Sequence, residues 1–574
     1  MPDLTETRRP LGEILVDEGI ITGDQLQDAL AAQKAEGGAL GRILQDKGYV
    51  SEPQLLEAIG RQLGMDVVPD LGAVEPPQEL LDMVSKMMAE VYSVVPVGME
   101  NGELVVAMGD PLNVHALDDL RFMLNCPVRG MVSDHDSVRA AIDKFYGTEK
   151  GEDLETLISE ISQDGLMEIA DEDLLTDIGQ LTDLANQMPV VKLLNLVLLT
   201  AIGDQSSDIH FEPFEDSFKI RYRIDGVLLE MQSPPKSLSL PLISRIKVMA
   251  GMNIAERRVP QDGRIALNLG GREIDLRVST LPTMFGESVV LRVLDRSVVS
   301  LDIERLGLRE DELATIRELI AQPNGIMLVT GPTGCGKTTT LYACLNEINE
   351  VAWKIITTEE PVEYELPGIV QCPIRPAIGV TFASTLRSIL RQDPDKILVG
   401  EIRDKETADL AIEASLTGHL VFSTLHTQDA PSTVARLIDM GVESYLLAAT
   451  LEAVCAQRLV RLVCNRCKTP YTPTEEELME INLSAEDVED REFYFGTGCD
   501  HCKQTGYRGR NAIFEIMVLD QKLRELVTER RSTEVIRAAA REQGMYDLRD
   551  SGLLKVYDGL TTIEEVVRET IMIE

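Results

Sequence analysis

Eight residues, Gly331-Pro332-Thr333-Gly334-Cys335-Gly336-Lys337-Thr338, constrain the fold of this 574-residue chain more than any other stretch. Two glycines separated by four residues and followed by Lys and Thr form the phosphate-loop pattern. The flanks agree with it. Ile326 to Thr330 is a short apolar run, the pattern of a buried parallel strand, and Thr339 to Leu345 reads as the start of a helix. A strand, a glycine turn and a helix N-terminus aim backbone N–H groups at an anion. In that arrangement Lys337 reaches the outer phosphates of a nucleotide such as ATP and the Thr338 hydroxyl ligates Mg²⁺. The alternative is an accidental glycine turn, which the flanking strand and helix argue against.

Composition narrows the function class. Length predicts about three to five domains, and 44% hydrophobic residues suffice for real cores. The formal net charge of −41 argues against a phosphate-backbone binder, so no nucleic-acid partner is expected. No run of 18 apolar residues is present; Val190 to Ile202, interrupted by Lys192 and Asn195, reads as a core helix. The N-terminus lacks an apolar signal region, so a cytoplasmic protein is expected. In that reducing setting the nine cysteines point to metal or buried thiols rather than disulfides.

The chain opens with an internal repeat. Leu11-Gly12-Glu13-Ile14-Leu15 recurs as Leu40-Gly41-Arg42-Ile43-Leu44, and the register of about 29 residues continues through Gly19/Gly48, Leu26/Leu55, Ala29/Ala58 and Gln33/Gln62. Each copy reads as helix, glycine turn, N-cap (Thr22 or Ser51) and second helix. We place this helical repeat module at 1–65 and a small α/β domain at 66–148. An acidic linker spans 149–187, with a tail that binds a partner as its second reading. From 188 to 300, strands at Ser217–Ile224, Arg264–Leu269, Arg272–Val278 and Val289–Leu294 alternate with turns at Asp225-Gly226 and Gly270-Gly271. The phosphate-loop domain, a mostly parallel sheet covered by helices, is expected at 301–460, a cysteine-bearing segment at 461–510 and C-terminal helices at 511–574.

Three further segments of the phosphate-loop domain carry chemistry. Lys396 to Glu401 is an apolar strand ending in a carboxylate that could activate water. Ile355 to Glu360 ends in two acids, suited to a metal shell or to water positioning; a solvated strand end is the alternative. His419 and His426 bracket the strand Leu420–Leu425, and a histidine near a γ-phosphate could sense it. Cys464-x2-Cys467 and Cys499-x2-Cys502 suit a closed, structural Zn²⁺ shell, with free thiols or a redox pair as the alternative. Arg277 and Arg292 lie on predicted strands; they are surface charges or, in a ring of subunits, fingers for a neighbour's nucleotide.

These strings, together with Glu359-Glu360-Pro361-Val362-Glu363, Leu390 to Asp395, Val399 to Asp404 and Gly418 to Thr427, occur in the order of the secretion ATPase superfamily. The chain resembles the type II secretion and type IV pilus assembly ATPases. Ser207 to Pro213, Glu256 to Arg264 and Gly506 to Arg510 look like further signatures of that family. The resemblance implies a PAS-like domain before a RecA-like ATPase domain, a homo-hexamer, and hydrolysis at subunit interfaces. It implies Glu401 as catalytic base, Arg277 and Arg292 as fingers, and His419 and His426 as box residues, while Glu359 and Glu360 are expected to help place the attacking water. Gly331 to Thr339 then bind the nucleotide. Partners would be the inner-membrane platform and anchoring proteins of a secretion or pilus machine, with the chain peripheral on the inner membrane. The cysteine element and long N-terminal region favour assembly over pilus retraction. The repeat is similar to a cyclic-di-GMP-binding motif, although Pro10 and Ala39 stand where the family commonly has Arg; a docking module is the alternative. Glu360 replaces a usual Asp, and Cys335 a frequent Ser, which suggests sensitivity to alkylation. The rival functions are a nucleic-acid translocase and a nucleotide- or cyclic-di-GMP-responsive scaffold.

Overall fold

A computed structural model describes residues 10–36, 40–68, 71–74, 76–84, 86–100, 102–111, 113–124, 126–146, 188–231, 233–269, 272–295, 301–481, 483–488 and 491–570. The acidic segment 149–187 and the Gly270-Gly271 turn lie outside them. The chain forms two units, residues 1–297 and 298–574. No helix among the described residues is long and apolar enough to cross a membrane.

In the first unit the repeat is visible in the packing. Helices Leu11–Asp17, Gly23–Glu36, Leu40–Asp46 and Glu52–Leu63 enclose Leu15, Ile21, Ala29, Leu44, Val50 and Ala58. Equivalent positions are buried together because equivalent glycines admit equivalent leucines. A Cβ on Gly12 would stand 2.6 Å from Leu26 Cδ1, and one on Gly41 3.2 Å from Leu55 Cδ1. Thr22 and Ser51 each begin a helix, with their own N–H groups bonded back to Gln25 and Gln54.

Strands β1 (Val94–Glu100), β2 (Glu103–Met108) and β3 (Val128–Val132) make a small mixed sheet. Then β4 (Asp208–Pro213), β5 (Phe218–Ile224), β6 (Val227–Glu230), β7 (Gln261–Leu269), β8 (Arg272–Thr283) and β9 (Gly286–Asp295) form an antiparallel sheet ordered β6-β5-β4-β9-β8-β7. The Asp225-Gly226 turn is as expected: both residues have positive φ, 49° and 86°, which suits a two-residue hairpin. The core helix expected over Val190–Ile202 runs from Met188 to Gly203, and Val190, Leu193, Leu194 and Val197 pack in one core with Phe211, Tyr222 and Leu291. Strand β4, where buried Ile209 and Phe211 alternate with Asp208, His210 and Glu212, adds to the expected strands.

The second unit is built on a seven-stranded sheet. Its strands are β10 (Gly325–Thr330), β11 (Ile355–Glu359), β12 (Val370–Pro373), β13 (Lys396–Val399), β14 (Leu420–Leu425), β15 (Leu451–Val463) and β18 (Tyr507–Val518). Their order is β12-β11-β13-β14-β10-β15-β18, parallel except for the last pair. Between β15 and β18 lies the cysteine segment with its own hairpin, β16 (Lys468–Tyr471) and β17 (Phe493–Gly496). The sheet therefore continues beyond residue 460, the expected end of the ATPase domain, and regains a strand after the cysteines. Four helices between Gln521 and Thr570 follow.

Candidate functional site

Parallel strands deliver their following loops to one edge of a sheet. At that edge stand, in spatial order, the end of β11 with Glu359, the loop after β13 with Glu401, the end of β14 with His426, and the phosphate loop after β10. Far separation in sequence thus becomes adjacency.

The loop has the backbone its glycines allow. Gly331, Gly334 and Gly336 have φ of 144°, 83° and 90°, and a Cβ on Gly331 would lie 2.6 Å from the Gln457 carbonyl oxygen. Lys337 begins the helix Lys337–Glu347, and its Nζ donates to the carbonyls of Gly331 and Pro332, both at 2.9 Å. Pro332, Thr333, Gly334 and Thr338 are exposed, and Thr339 is half-buried. Burial pulls the Lys337 ammonium below its ordinary value, and the charge of Glu401 is among those opposing that pull. Cys335 is only 4% exposed, and burial pushes its thiol up. This corrects the expected alkylation sensitivity, because a reactive cysteine needs access and a stabilised thiolate.

Glu401 stands two residues past β13, not on it. Gly400 turns the chain there, its N–H bonded to Thr358 O at 2.8 Å while its carbonyl accepts from Thr424 Oγ1 at 2.7 Å. His426 Nε2 is 3.3 Å from Glu401 Oε2, and Arg403 bonds Glu401 and also reaches Glu360 Oε2 at 2.8 Å. Burial pushes the Glu401 carboxyl up, but the hydrogen bonds and charges of Arg403 and His426 outweigh it and hold the group below its ordinary value. Sequence reasoning missed Arg403; the available signal was its position two residues after the strand-end acid.

Two expectations need correction. His419 is not beside the phosphate loop. Thr330 pairs with Leu425 and Gly325 with Leu420, so His419 lies at the opposite edge, roughly 20 Å along the strand direction from His426. There its Nδ1 is 2.8 Å from Ala414 O, and its carbonyl accepts from Gly325 N–H. Glu359, in turn, is not an open metal ligand. It is 4% exposed; Tyr342 donates to its Oε2, while Thr357 and Gln371 donate to its Oε1. Glu360, next to it, is exposed.

Arg277 and Arg292 belong to the first unit, where they are direct partners across β8 and β9, and Arg264 on β7 faces Arg277 in turn. Asp208 and Asp275 pair with Arg292 and Arg264.

The four cysteines come together. Their Sγ atoms lie within 4.8 Å of one another, with Cys464–Cys499 at 3.9 Å, Cys467–Cys502 at 3.8 Å and Cys499–Cys502 at 3.7 Å. A tetrahedral site with Zn–S of about 2.3 Å requires S–S separations of about 3.8 Å. These contacts are far too long for disulfides, and all nine cysteines of the chain are free. The residues fit a closed zinc shell.

A family model described as "Type II/IV secretion system protein" matches residues 183–568. The chain belongs to that family. A second model, "MshEN domain", matches residues 62–152, which is the small α/β segment after the helical repeat. The type IV pilus assembly ATPase PilB of Myxococcus xanthus is 44% identical over 562 residues, covering 98% of both chains. The type II secretion system protein E of Xanthomonas campestris pv. campestris is 44% identical over 513 residues, covering 88% of this chain and 89% of its own. Among solved structures, the ATPase DotB of Legionella pneumophila covers 65% of this chain and 94% of its own at 22% identity and a TM-score of 0.49.

Proposed function

We propose that this chain is an ATP-hydrolysing motor that powers assembly of a pilus or of the pseudopilus of type II secretion. The observation that carries the reading is Glu401, held ionised by Arg403 and His426 at the sheet edge that also presents the phosphate loop. The relatives named as pilus assembly and secretion ATPases supply the class of machine.

The residues divide the work as follows. Loop N–H groups from Gly331 to Thr339 and the Lys337 ammonium bind the phosphates. Mg²⁺, when bound, neutralises phosphate charge, and Thr338 is the hydroxyl placed to hold it. Glu401 accepts a proton from the attacking water, and a carboxyl kept below its usual range is ready to do so at neutral pH. Glu360 acts through Arg403, and Glu359 holds the end of β11 in place. Arg277 and Arg292, on a PAS-like domain, reach the nucleotide of a neighbouring subunit in a homo-hexamer. Cys464, Cys467, Cys499 and Cys502 hold a structural Zn²⁺ that closes the excursion between β15 and β18.

The machine places the chain on the cytoplasmic side of the inner membrane, against platform and anchoring proteins. The helical repeat is the module placed to bind cyclic-di-GMP or to dock on such a partner. A translocase or a scaffold is not favoured, given the net charge of −41 and the complete set of Lys337, Thr338 and Glu401. The test is steady-state ATP hydrolysis by the full chain, by Lys337→Ala and by Glu401→Gln. Both variants should lose at least about a hundredfold in kcat; unchanged hydrolysis in Glu401→Gln would refute the assignment.

A further inference from the structure

Arg458, near the middle of β15, was invisible in the motif reading and is only 8% exposed. Its guanidinium touches two separate segments of the site. On one side it packs under the phosphate loop. A Cβ on Gly331 would be 3.1 Å from its Nη1, and that same nitrogen donates at 3.0 Å to Gln457 O, the atom that such a Cβ would meet first. On the other side its Nη2 donates at 2.8 Å to Gln428 O, two residues after His426.

The segment from His426 to Ala430 is held at every step. Thr427 Oγ1 meets Thr433 Oγ1 at 2.6 Å. Asp429 caps the helix Ala430–Asp439 through Ser432 N–H at 2.8 Å and accepts from Arg537 at 3.1 Å. Ala430 N–H donates at 2.7 Å to Glu515, which is 1% exposed. Arg458, Gln428, Asp429, Glu515 and Arg537 also line one cavity of about 290 Å³. A buried guanidinium is costly unless a defined job fixes it in place. Here one bond goes to the carbonyl of Gln457 on its own strand, beside Gly331, and the other to the carbonyl of Gln428 in the loop after β14, and a planar fork is the side chain suited to reach both.

We propose that Arg458 is a positioning residue that ties the phosphate loop to His426, so that nucleotide at the loop sets the His426–Glu401 contact. A shift of Gly331 moves the guanidinium, and Gln428 follows it. The inference rests on the ATPase reading and adds to it a route within one subunit from phosphate binding to the catalytic carboxylate. It does not use His419 or the arginines of the first unit.

Hydrogen exchange on the full wild-type chain tests it without any substitution. Adding ADP should slow exchange both at 331–338 and in a peptide spanning 427–433. Protection of the loop alone overturns the inference and leaves the ATPase reading standing; protection of neither segment removes both. A double-mutant cycle gives the second measurement. Arg458→Lys should lower kcat at least tenfold while ADP affinity changes less than threefold. In a His426→Ala background the same substitution should add less than a twofold loss. An equal loss in both backgrounds, or ADP affinity falling in step with kcat, would mean that Arg458 only supports the loop.

Discussion

The sharpest test of the site is to treat Glu359 and Glu401 differently. Glu359 is 4% exposed, with hydroxyls of Tyr342 and Thr357 and the Gln371 amide aimed at its two oxygens. Glu359→Gln keeps the shape but replaces one acceptor oxygen with an NH₂ group. The hydroxyls can turn to accept, yet bonds to a charged acceptor, worth about 1.5–3 kcal/mol, become neutral ones worth about 0.5–1.5 kcal/mol. Two weakened bonds, partly offset by no longer burying a charge, give a loss of about 2 kcal/mol. For a unit of this size that is roughly 3–4 °C in Tm. Glu359→Ala leaves three donors facing a cavity and should cost more than about 4 kcal/mol. Because protein donors already occupy both oxygens, kcat per folded subunit should fall less than about tenfold in Glu359→Gln. Glu401→Gln should behave in the opposite way. Its partners Arg403 and His426 are more than half exposed, so stability moves by less than about 1 kcal/mol, while kcat falls at least about a hundredfold. Differential scanning calorimetry beside steady-state hydrolysis reads both quantities. If Glu359→Gln loses as much kcat as Glu401→Gln while its Tm is unchanged, Glu359 reaches the reacting water and the division of roles is wrong.

Arg403→Ala should move the acid limb of the kcat profile to higher pH. The Glu401 carboxyl lies below its ordinary value only because Arg403 and His426 outweigh burial, so removing Arg403 lets the carboxyl rise and protonate earlier on acidification; a pH–rate profile with an unmoved limb would detach that limb from Glu401. Cys499→Ser should lower zinc content by elemental analysis and open residues 464–506 to protease while the seven-stranded sheet persists, and full zinc retention would exclude Cys499 from the shell. Mixing Arg277→Ala or Arg292→Ala subunits with Lys337→Ala subunits should restore hydrolysis at interfaces that combine an intact loop with intact arginines. Mixtures no more active than their separate components would place those arginines' role outside the neighbour's nucleotide.

What the sequence disclosed depended on how local the cause is. The phosphate loop was legible because its glycines answer to their own φ angles and its lysine opens the next helix. The repeat was legible because Leu15 and Leu44, or Ala29 and Ala58, have equivalent neighbours one period away. The two histidines were misgrouped for a simple reason: they bracket one strand in sequence, but a six-residue strand carries its ends to opposite edges of the sheet. Glu359 was misread because what closes it off arrives from Tyr342 on a helix and Gln371 on β12, and no spacing announces either. Arg458 was hidden in the long strand Leu451–Val463, where the pair Gln457-Arg458 interrupts the apolar run from Ala453 to Val460. That interruption is a readable signal: two polar residues inside a central strand need partners, and here Gln457 accepts from Thr340 on the helix after the phosphate loop while Arg458 donates to Gln428 in the loop after β14. Strand order then explains the acids as well. β13 lies between β11 and β14, so the loop after it is flanked by Glu360 on one side and His426 on the other, and Glu401 is the acid for which a single arginine and a single histidine can fix both orientation and charge.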